Sequence, residues 1–377
     1  MDSQRRASLG LMGRMCLAGM AAAATMLLAS CGGGGSDTPM ASPMPPAPPP
    51  PVVTRFAVTS LVSDYNGISA AHTDPNLVNA WGIAFNPQGF VWVPAAGTDK
   101  STLYDGNGVP QTLVVGTPPE PTGIVFNSTQ DFKVVQNGVT AASPFIFSTE
   151  SGRIAGWAPS VNRTLALEAY NGSAENKVYK GLAIGSSGGA NYLYATDFHN
   201  NRIDVFDASF QPVTLAGGFR DSGIPAGYGP FGIQAIGDKL YVTYARHQAS
   251  GDDDEKGAGF GYVSVYDMAG NLQRHLVSAG ALNAPWGLAM APANFGSFSG
   301  KLLVANFGDG KINAYDPNTG DWLGVLTKAD GSAIVIDGLW GIAFGNGLNA
   351  QPTNTLFFTA GPSDEAHGQY GRLDMAP

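Results

Sequence analysis

The sequence predicts an all-β chain, a six-bladed β-propeller closed by an N-terminal outer strand on its last blade. Three observations predict it. A Trp-Gly-apolar-Ala core recurs as Trp81-Gly82-Ile83-Ala84, Trp286-Gly287-Leu288-Ala289 and Trp340-Gly341-Ile342-Ala343, with weaker copies at Thr122-Gly123, Lys180-Gly181 and Phe231-Gly232. The six glycines stand 41 to 58 residues apart, a period typical of arrays and propellers. Second, 51 Gly and 26 Pro among 377 residues, with only 13% charged, favour short strands joined by turns. Third, each unit repeats one order of alternating strands, which argues for one closed body rather than several domains.

In chain order, residues 1–30 read as an export signal. Arg5, Arg6 and Arg14 make a basic start, and the apolar run from Met15 to Leu28 is short and Ala-rich for a membrane span. Leu28-Ala29-Ser30-Cys31 matches the bacterial lipobox, in which the cysteine is acylated and becomes the mature N-terminus. Gly32 after it fits outer-membrane sorting. These residues predict an exported protein anchored through Cys31 to the membrane, on the periplasmic face or the cell surface. Residues 31–53 form a Gly- and Pro-rich tether, and residues 54–377 the folded body. The other cysteine, Cys16, leaves with the signal, so no disulfide is expected. A formal charge of -9 and the lack of basic clusters exclude nucleic acid as a partner held by phosphate contacts.

Within the body, the third unit runs from Gly181-Leu182-Ala183-Ile184 through Tyr192 to Thr196, a polar loop from Asp197 to Asn201, and Arg202 to Asp207. The alternation is that of half-buried antiparallel strands. The fifth unit repeats it with Leu302 to Ala305 and Lys311 to Asp316, and the fourth with Leu240 to Thr243 and Tyr262 to Asp267. Three strands per unit are legible and a fourth, outer one is expected. Leu61-Val62-Ser63 parallels Leu276-Val277-Ser278, so Arg55 to Asp64 reads as an outer strand without a unit of its own. It completes the last blade, which ends near Asp374 without one, and leaves the ring no open edge.

The run "YLYATDFHNNRIDVFD" resembles NHL-type propeller repeats. With "LNAPWGLAMAPANFGSFSGKLLVANFGDGKINAYDPNTG" and "NTLFFTAGPSDEAHGQYGRL", the span from Arg55 to Leu373 is similar to a family of exported bacterial six-bladed propellers without an assigned function. The resemblance implies the fold and carries no catalytic residue over.

Several residues are candidates for chemistry. Trp81, Phe231, Trp286 and Trp340 are expected around one mouth of the channel, either packed between blades or offered as a platform for a sugar ring or another flat ligand. Glu150, Asp197 and Asn306 occupy near-corresponding positions at the ends of second strands, where oxygen donors from different blades suit Ca²⁺. They are similar in type and place to the metal ligands of gluconolactonase and paraoxonase propellers. His199 and His367 lie beside carboxylates in the loops that follow, where a histidine serves as general base or as a surface residue. His72 with Asp74 is a weaker pair. Asp252-Asp253-Asp254-Glu255 lacks the alternating spacing of a calcium loop and reads as a flexible acidic loop. No Gly-x-Ser-x-Gly elbow is present, which disfavours a serine triad.

The leading functional expectation is a lipid-anchored binding or scaffold module for a glycan, peptide or protein partner. The alternative is a Ca²⁺-assisted hydrolase of lactonase or esterase type, with Glu150, Asp197 and Asn306 on the metal and His199 or His367 moving protons. A purely structural envelope protein is a third reading. What separates them is whether those groups converge on the axis.

Overall fold

The computed structural model describes residues 53–249 and 251–376. Cys31 and the residues expected to form a signal and most of a tether around it lie outside the described residues. Short strands and three single-turn 3₁₀ helices make up the regular structure, with no α-helix among the described residues. The strands form six antiparallel blades.

Blade 1 comprises Ala84–Phe85, Val91–Ala95, Lys100–Tyr104 and Val115–Gly116. Blade 2 comprises Pro121–Phe126, Phe145–Thr149, Arg153–Trp157 and Leu167–Asn171. Blade 3 is Tyr179–Ser187, Ala190–Asp197, Arg202–Phe206 and Pro212–Val213; blade 4 is Tyr228–Ile236, Lys239–Arg246, Tyr262–Asp267 and Leu272–Ser278. Blade 5 is Pro285–Met290, Leu302–Asn306, Ile312–Tyr315 and Trp322–Val325. Blade 6 is Leu339–Phe344, Leu356–Ala360 and Gln369–Met375, completed by Phe56–Ser63, with the two-residue strand His72–Thr73 added parallel at its outer edge. That N-terminal strand pairs antiparallel from Phe56 opposite Met375 to Ser63 opposite Gln369, as the sequence predicts.

The repeated glycine has a physical cause. The Gly82 N–H donates to Thr122 O of blade 2 at 3.0 Å, and the Gly341 N–H donates to Trp81 O of blade 1 at 3.1 Å. A Cβ on Gly82 would meet Thr122 O at 2.7 Å, and one on Gly341 would meet Trp81 O at 2.8 Å. Neighbouring innermost strands therefore touch backbone to backbone, and the contact from blade 6 to blade 1 closes the ring. Six hydrophobic clusters lie one between each pair of adjacent blades, and a seventh sits on the axis. Stability thus comes from blade-on-blade burial repeated around a circle.

Two local features depart from the simple repeat. In blade 1 the regular inner strand is only Ala84–Phe85, although the motif starts at Trp81. Pro94 stands in the facing strand without an N–H, so the ladder there is reduced to the Trp81 N–H on Pro94 O at 3.1 Å. Blade 2 carries an extra hairpin, Lys133–Gln136 with Val139–Ala142, turned at Asn137-Gly138 with φ of 51° and 79°. Asn-Gly between short apolar runs is the hairpin signal in the sequence. It accounts for the longest spacing in the repeat.

Candidate functional site

The residues before the repeated glycines stand on the N-terminal side of the innermost strands, where the four aromatics cluster on the axis and Thr122 Oγ1 donates to Tyr179 O at 2.8 Å. Around the ring these are Trp81, Thr122, Lys180, Phe231, Trp286 and Trp340. Trp81 stacks on Trp340 at 3.5 Å between ring centroids, and Phe307 covers its other face at 3.8 Å. Trp286 meets both tryptophans edge-on at 5.8 and 5.9 Å, and Phe231 meets Trp340 edge-on at 5.8 Å. All four predicted aromatics are buried, in one cluster with Phe198 and Phe307. Their faces are taken by one another, and the arrangement is an aromatic plug on the axis rather than an open stacking platform. The reason is geometric: six strands converging on one axis bring large rings within contact distance, and flat apolar faces exclude water best by packing together. The indole N–H groups of Trp81, Trp286 and Trp340 have no acceptor among the described residues.

Lys180 is the odd member of the ring. Its side chain is 1% exposed and its Nζ pairs with Glu150 and, at 3.1 Å, with Asp253 Oδ1. The ammonium lies 5.3 Å from the Trp81 ring centroid, within cation–π range. Burial pushes its pKa down, but the charges of Glu150 and Asp253 more than offset that and hold it above the ordinary lysine range. The sequence contains the signal for this residue, a charge where other copies of the repeat carry an aromatic side chain or a hydroxyl. That difference was legible only as a weaker repeat.

The acidic loop is not free. Asp253 sits on Lys180, Asp252 Oδ1 lies 2.5 Å from His199 Nδ1, and Glu255 pairs with Arg246 at 3.1 Å. Asp254 is 5% exposed, and its Oδ2 has no donor among the described residues. Burial, reinforced by repulsion from Glu365 and opposed by Lys180, pushes its pKa up to about 7. Glu365 is raised by burial and by Glu150, while it accepts the Asn79 Nδ2–H at 2.6 Å. The loop folds over the axis because a buried cation draws carboxylates to it in a low-dielectric setting.

Beside this cap opens a cleft of about 340 Å³, lined by Glu150, Ser151, Arg153, Ser173, Asn176, Lys177, His199 and Asp252, together with Val178. Two predicted residues, Glu150 and His199, meet there. Asp197 is buried, where it accepts the Val178 N–H at 3.2 Å and the Asn200 Nδ2–H at 2.9 Å, with Arg202 Nε at 3.3 Å. Burial leads the upward shift of its carboxyl. Asn306 points its Nδ2 at Ala281 O, 2.8 Å, and Asp309 Oδ1, 3.0 Å. Asp197 is thus held by partners of its own and an ammonium lies against Glu150, while Asn306 is held through its Nδ2 and its Oδ1 has no donor among the described residues. With an ammonium on Glu150, this donor set does not fit the Ca²⁺ of the alternative, hydrolase reading. Among the described residues no three His, Cys, Asp or Glu side chains are grouped to hold a metal.

His367 is not at the cleft. Its Nδ1 pairs with Asp64 Oδ2 at 3.0 Å and its ring stacks on Tyr65 at 3.5 Å, which ties blade 6 to the segment after the N-terminal strand. Asp74 bonds Tyr104 and Asn76, not His72.

Fold and site together define a six-bladed propeller with a plugged axis and a polar cleft at one mouth. No family model matches the chain. The chain belongs to the family of Uncharacterized protein R648 of Acanthamoeba polyphaga mimivirus, with which it is 35% identical over 334 residues, 85% of this chain and 80% of the relative. Uncharacterized protein L690 of the same virus is 34% identical over 337 residues, 85% of this chain and 86% of its own length. These relatives are viral, whereas the resemblance in the sequence had implied a bacterial family. Among solved structures, a gluconolactonase from Xanthomonas campestris is similar at 13% identity, TM-score 0.49, over 80% of this chain and 87% of that one. Virginiamycin B lyase from Staphylococcus aureus is similar at 16% identity, TM-score 0.46, over 85% of this chain and all of that one. Likeness at this level says nothing about activity.

Proposed function

We propose that the protein is a binding module whose ligand is a small saccharide held in the cleft at the mouth of the propeller. The observation that carries this reading is the gathering of Glu150, Ser151, Arg153, Asn176, His199 and Asp252, from three blades and their loops, onto one cleft of about 340 Å³. Hydroxyl-rich ligands need many donors and acceptors at fixed positions, and the volume is that of a small-molecule site. Lys180 fixes Glu150 from beneath, and Asp252 fixes His199, so acceptor and donor are oriented before a ligand arrives. Calorimetric titration of residues 54–377 against mono- and disaccharides tests it. Binding by at least one sugar, weakened about tenfold in Glu150→Gln, is expected from loss of one charge-assisted hydrogen bond. Silence across the panel, or binding indifferent to Glu150→Gln, sinks the proposal.

Export and anchoring through Cys31 belong to the same proposal and rest on the Leu28 to Cys31 sequence alone. The mass of the mature N-terminal peptide tests them: an acylated Cys31 is expected, and an unmodified or retained signal overturns them.

A second reading, a hydrolase, draws on Asp254. A carboxyl that burial pushes up to about 7 is suited to proton transfer at neutral pH. Hydrolysis of lactones or esters with a pH profile bending near 7, abolished in Asp254→Asn, is the outcome that favours it.

A further inference from the structure

A second constellation lies on the outer rim of blade 4, away from the cleft. Ser278 Oγ is 2.7 Å from His275 Nε2, and His275 Nδ1 is 2.7 Å from Asp221 Oδ2. With Nδ1–H donating to the carboxylate, Nε2 is left to accept the serine hydroxyl. We propose that Ser278, His275 and Asp221 form a nucleophilic triad that cleaves a small acyl ester.

The arrangement depends on a bulge. Residues three apart on a regular strand point to opposite faces of the sheet. In the outer strand Leu272–Ser278, Val277 stands opposite Val263 and His275 opposite Ser264, so Leu276 is an extra residue. The bulge rotates the strand and puts His275 and Ser278 on one side, as bulges beside active sites do. Asp221 arrives from the segment between blades 3 and 4 and is held in place: it accepts from Ser264 Oγ at 2.6 Å and from the Gly223 N–H at 2.7 Å. Its side chain is 2% exposed. Burial alone would raise its carboxyl; the Ser264, His275 and Gly223 hydrogen bonds outweigh that and keep it below the ordinary range, hence charged. A buried, oriented carboxylate on Nδ1 is what holds an imidazole in the tautomer a serine nucleophile requires.

Three further observations favour a reacting serine over a structural knot. Of the three His–Asp pairs among the described residues, those of His199 and His367 have no hydroxyl on the other ring nitrogen. Ser278 is exposed at the end of its strand, and Ala279 and Gly280 follow with φ of 51° and 62°. The Gly280 N–H donates to no group among the described residues, which leaves a backbone donor free two residues after the serine.

Ser278 is exposed at the end of its strand, which suits a small acyl group carried on a larger molecule. Ser278 Oγ attacks the ester carbonyl carbon while its proton passes to His275 Nε2. Collapse of the tetrahedral intermediate breaks the ester C–O bond, and the departing alcohol takes the proton from Nε2. Water, deprotonated by Nε2, then attacks the acyl-serine and releases the carboxylic acid, restoring Ser278. The missing Gly-x-Ser-x-Gly elbow does not count against this, because the triad is assembled by a bulge and a loop and not by a strand-to-helix turn.

The test is labelling of the folded chain with a fluorophosphonate probe, read by peptide mass spectrometry, beside hydrolysis of p-nitrophenyl acetate. Phosphonylation of Ser278 is expected, absent in Ser278→Ala and slowed about 100-fold in His275→Gln and in Asp221→Asn. Melting curves of the variants confirm folding. Absence of label on Ser278, label at Ser278 that is indifferent to His275→Gln, or label at other serines only would each overturn the proposal. Because the readout is the modified peptide, it is distinct from any binding or turnover at the mouth cleft.

Discussion

The two ends of the axial channel are built from the same six strands and differ in almost every property. At the N-terminal ends of the strands, three tryptophans and Phe231 pack into a dry plug, with Lys180 and its carboxylates beside it. At the C-terminal ends, the third to sixth residues of the same repeats, Phe85, Phe126, Ile184, Ile236, Met290 and Phe344 among them, line an open funnel of about 430 Å³. Gln234 is the one polar side chain there. The contrast teaches that a repeat fixes where side chains converge but not what happens when they do. The indoles meet one another across the axis and close it, while Phe85, Phe126 and Phe344 pack on Phe357, Phe145 and Phe295 and leave it open.

The largest effect should come from breaking the closed end. Trp340→Ala, which removes a ring stacked on both faces, is expected to cost about 3–5 kcal/mol in urea unfolding. Phe344→Ala at the open end, where the side chain is half-buried, should cost less than half as much. Equal losses would mean that the plug does not carry the axis.

Lys180→Met tests the charge in the same ring. Removing the cation leaves the largely buried Glu150 carboxylate without its partner, while exposed Asp253 returns to solvent, and a loss of about 3 kcal/mol is expected. Adding Glu150→Gln should recover part of it; additive losses would show that the pair is not coupled.

A pH series sharpens the comparison. Asp254 binds its proton up to about pH 7 in the folded state but only to about 4 unfolded, so the folded state holds the extra proton between those values. Stability should therefore fall as pH rises from 4 to 7, by about 2–4 kcal/mol at most, and Asp254→Asn should remove that slope. An unchanged slope in the variant would refute the assignment.

The smallest effect concerns the ring itself. Gly341→Ala forces a Cβ against Trp81 O and should cost about 1–3 kcal/mol. A neutral result would show that the blade 6 to blade 1 contact yields easily.

Much of this fold was legible because it is periodic. The glycines, the alternating strands and the unpartnered strand at Phe56–Ser63 are local patterns, and each maps to one blade position. The extra hairpin was signalled by Asn137-Gly138 and passed over within a longer unit. The site was legible only in pieces. Glu150 and His199 meet at the cleft, while Asp197, Asn306 and His367 bond to neighbours in their own blades. Asp253 and Asp254 looked like solvated loop residues because nothing in their own spacing points to Lys180, 73 positions from Asp253.

By itself the sequence determined the number of blades, their strand order and the strand that closes the ring, since those follow from short-range hydrophobic patterning and from glycines that only a backbone contact requires. Only the tertiary structure decided which polar groups meet: Lys180 with Asp253, His199 with Asp252, and Asp221 with His275 and Ser278. Those meetings depend on loop paths, on a bulge and on the balance between burial and charge. Each is set by partners distant in the chain and leaves no periodic mark on it.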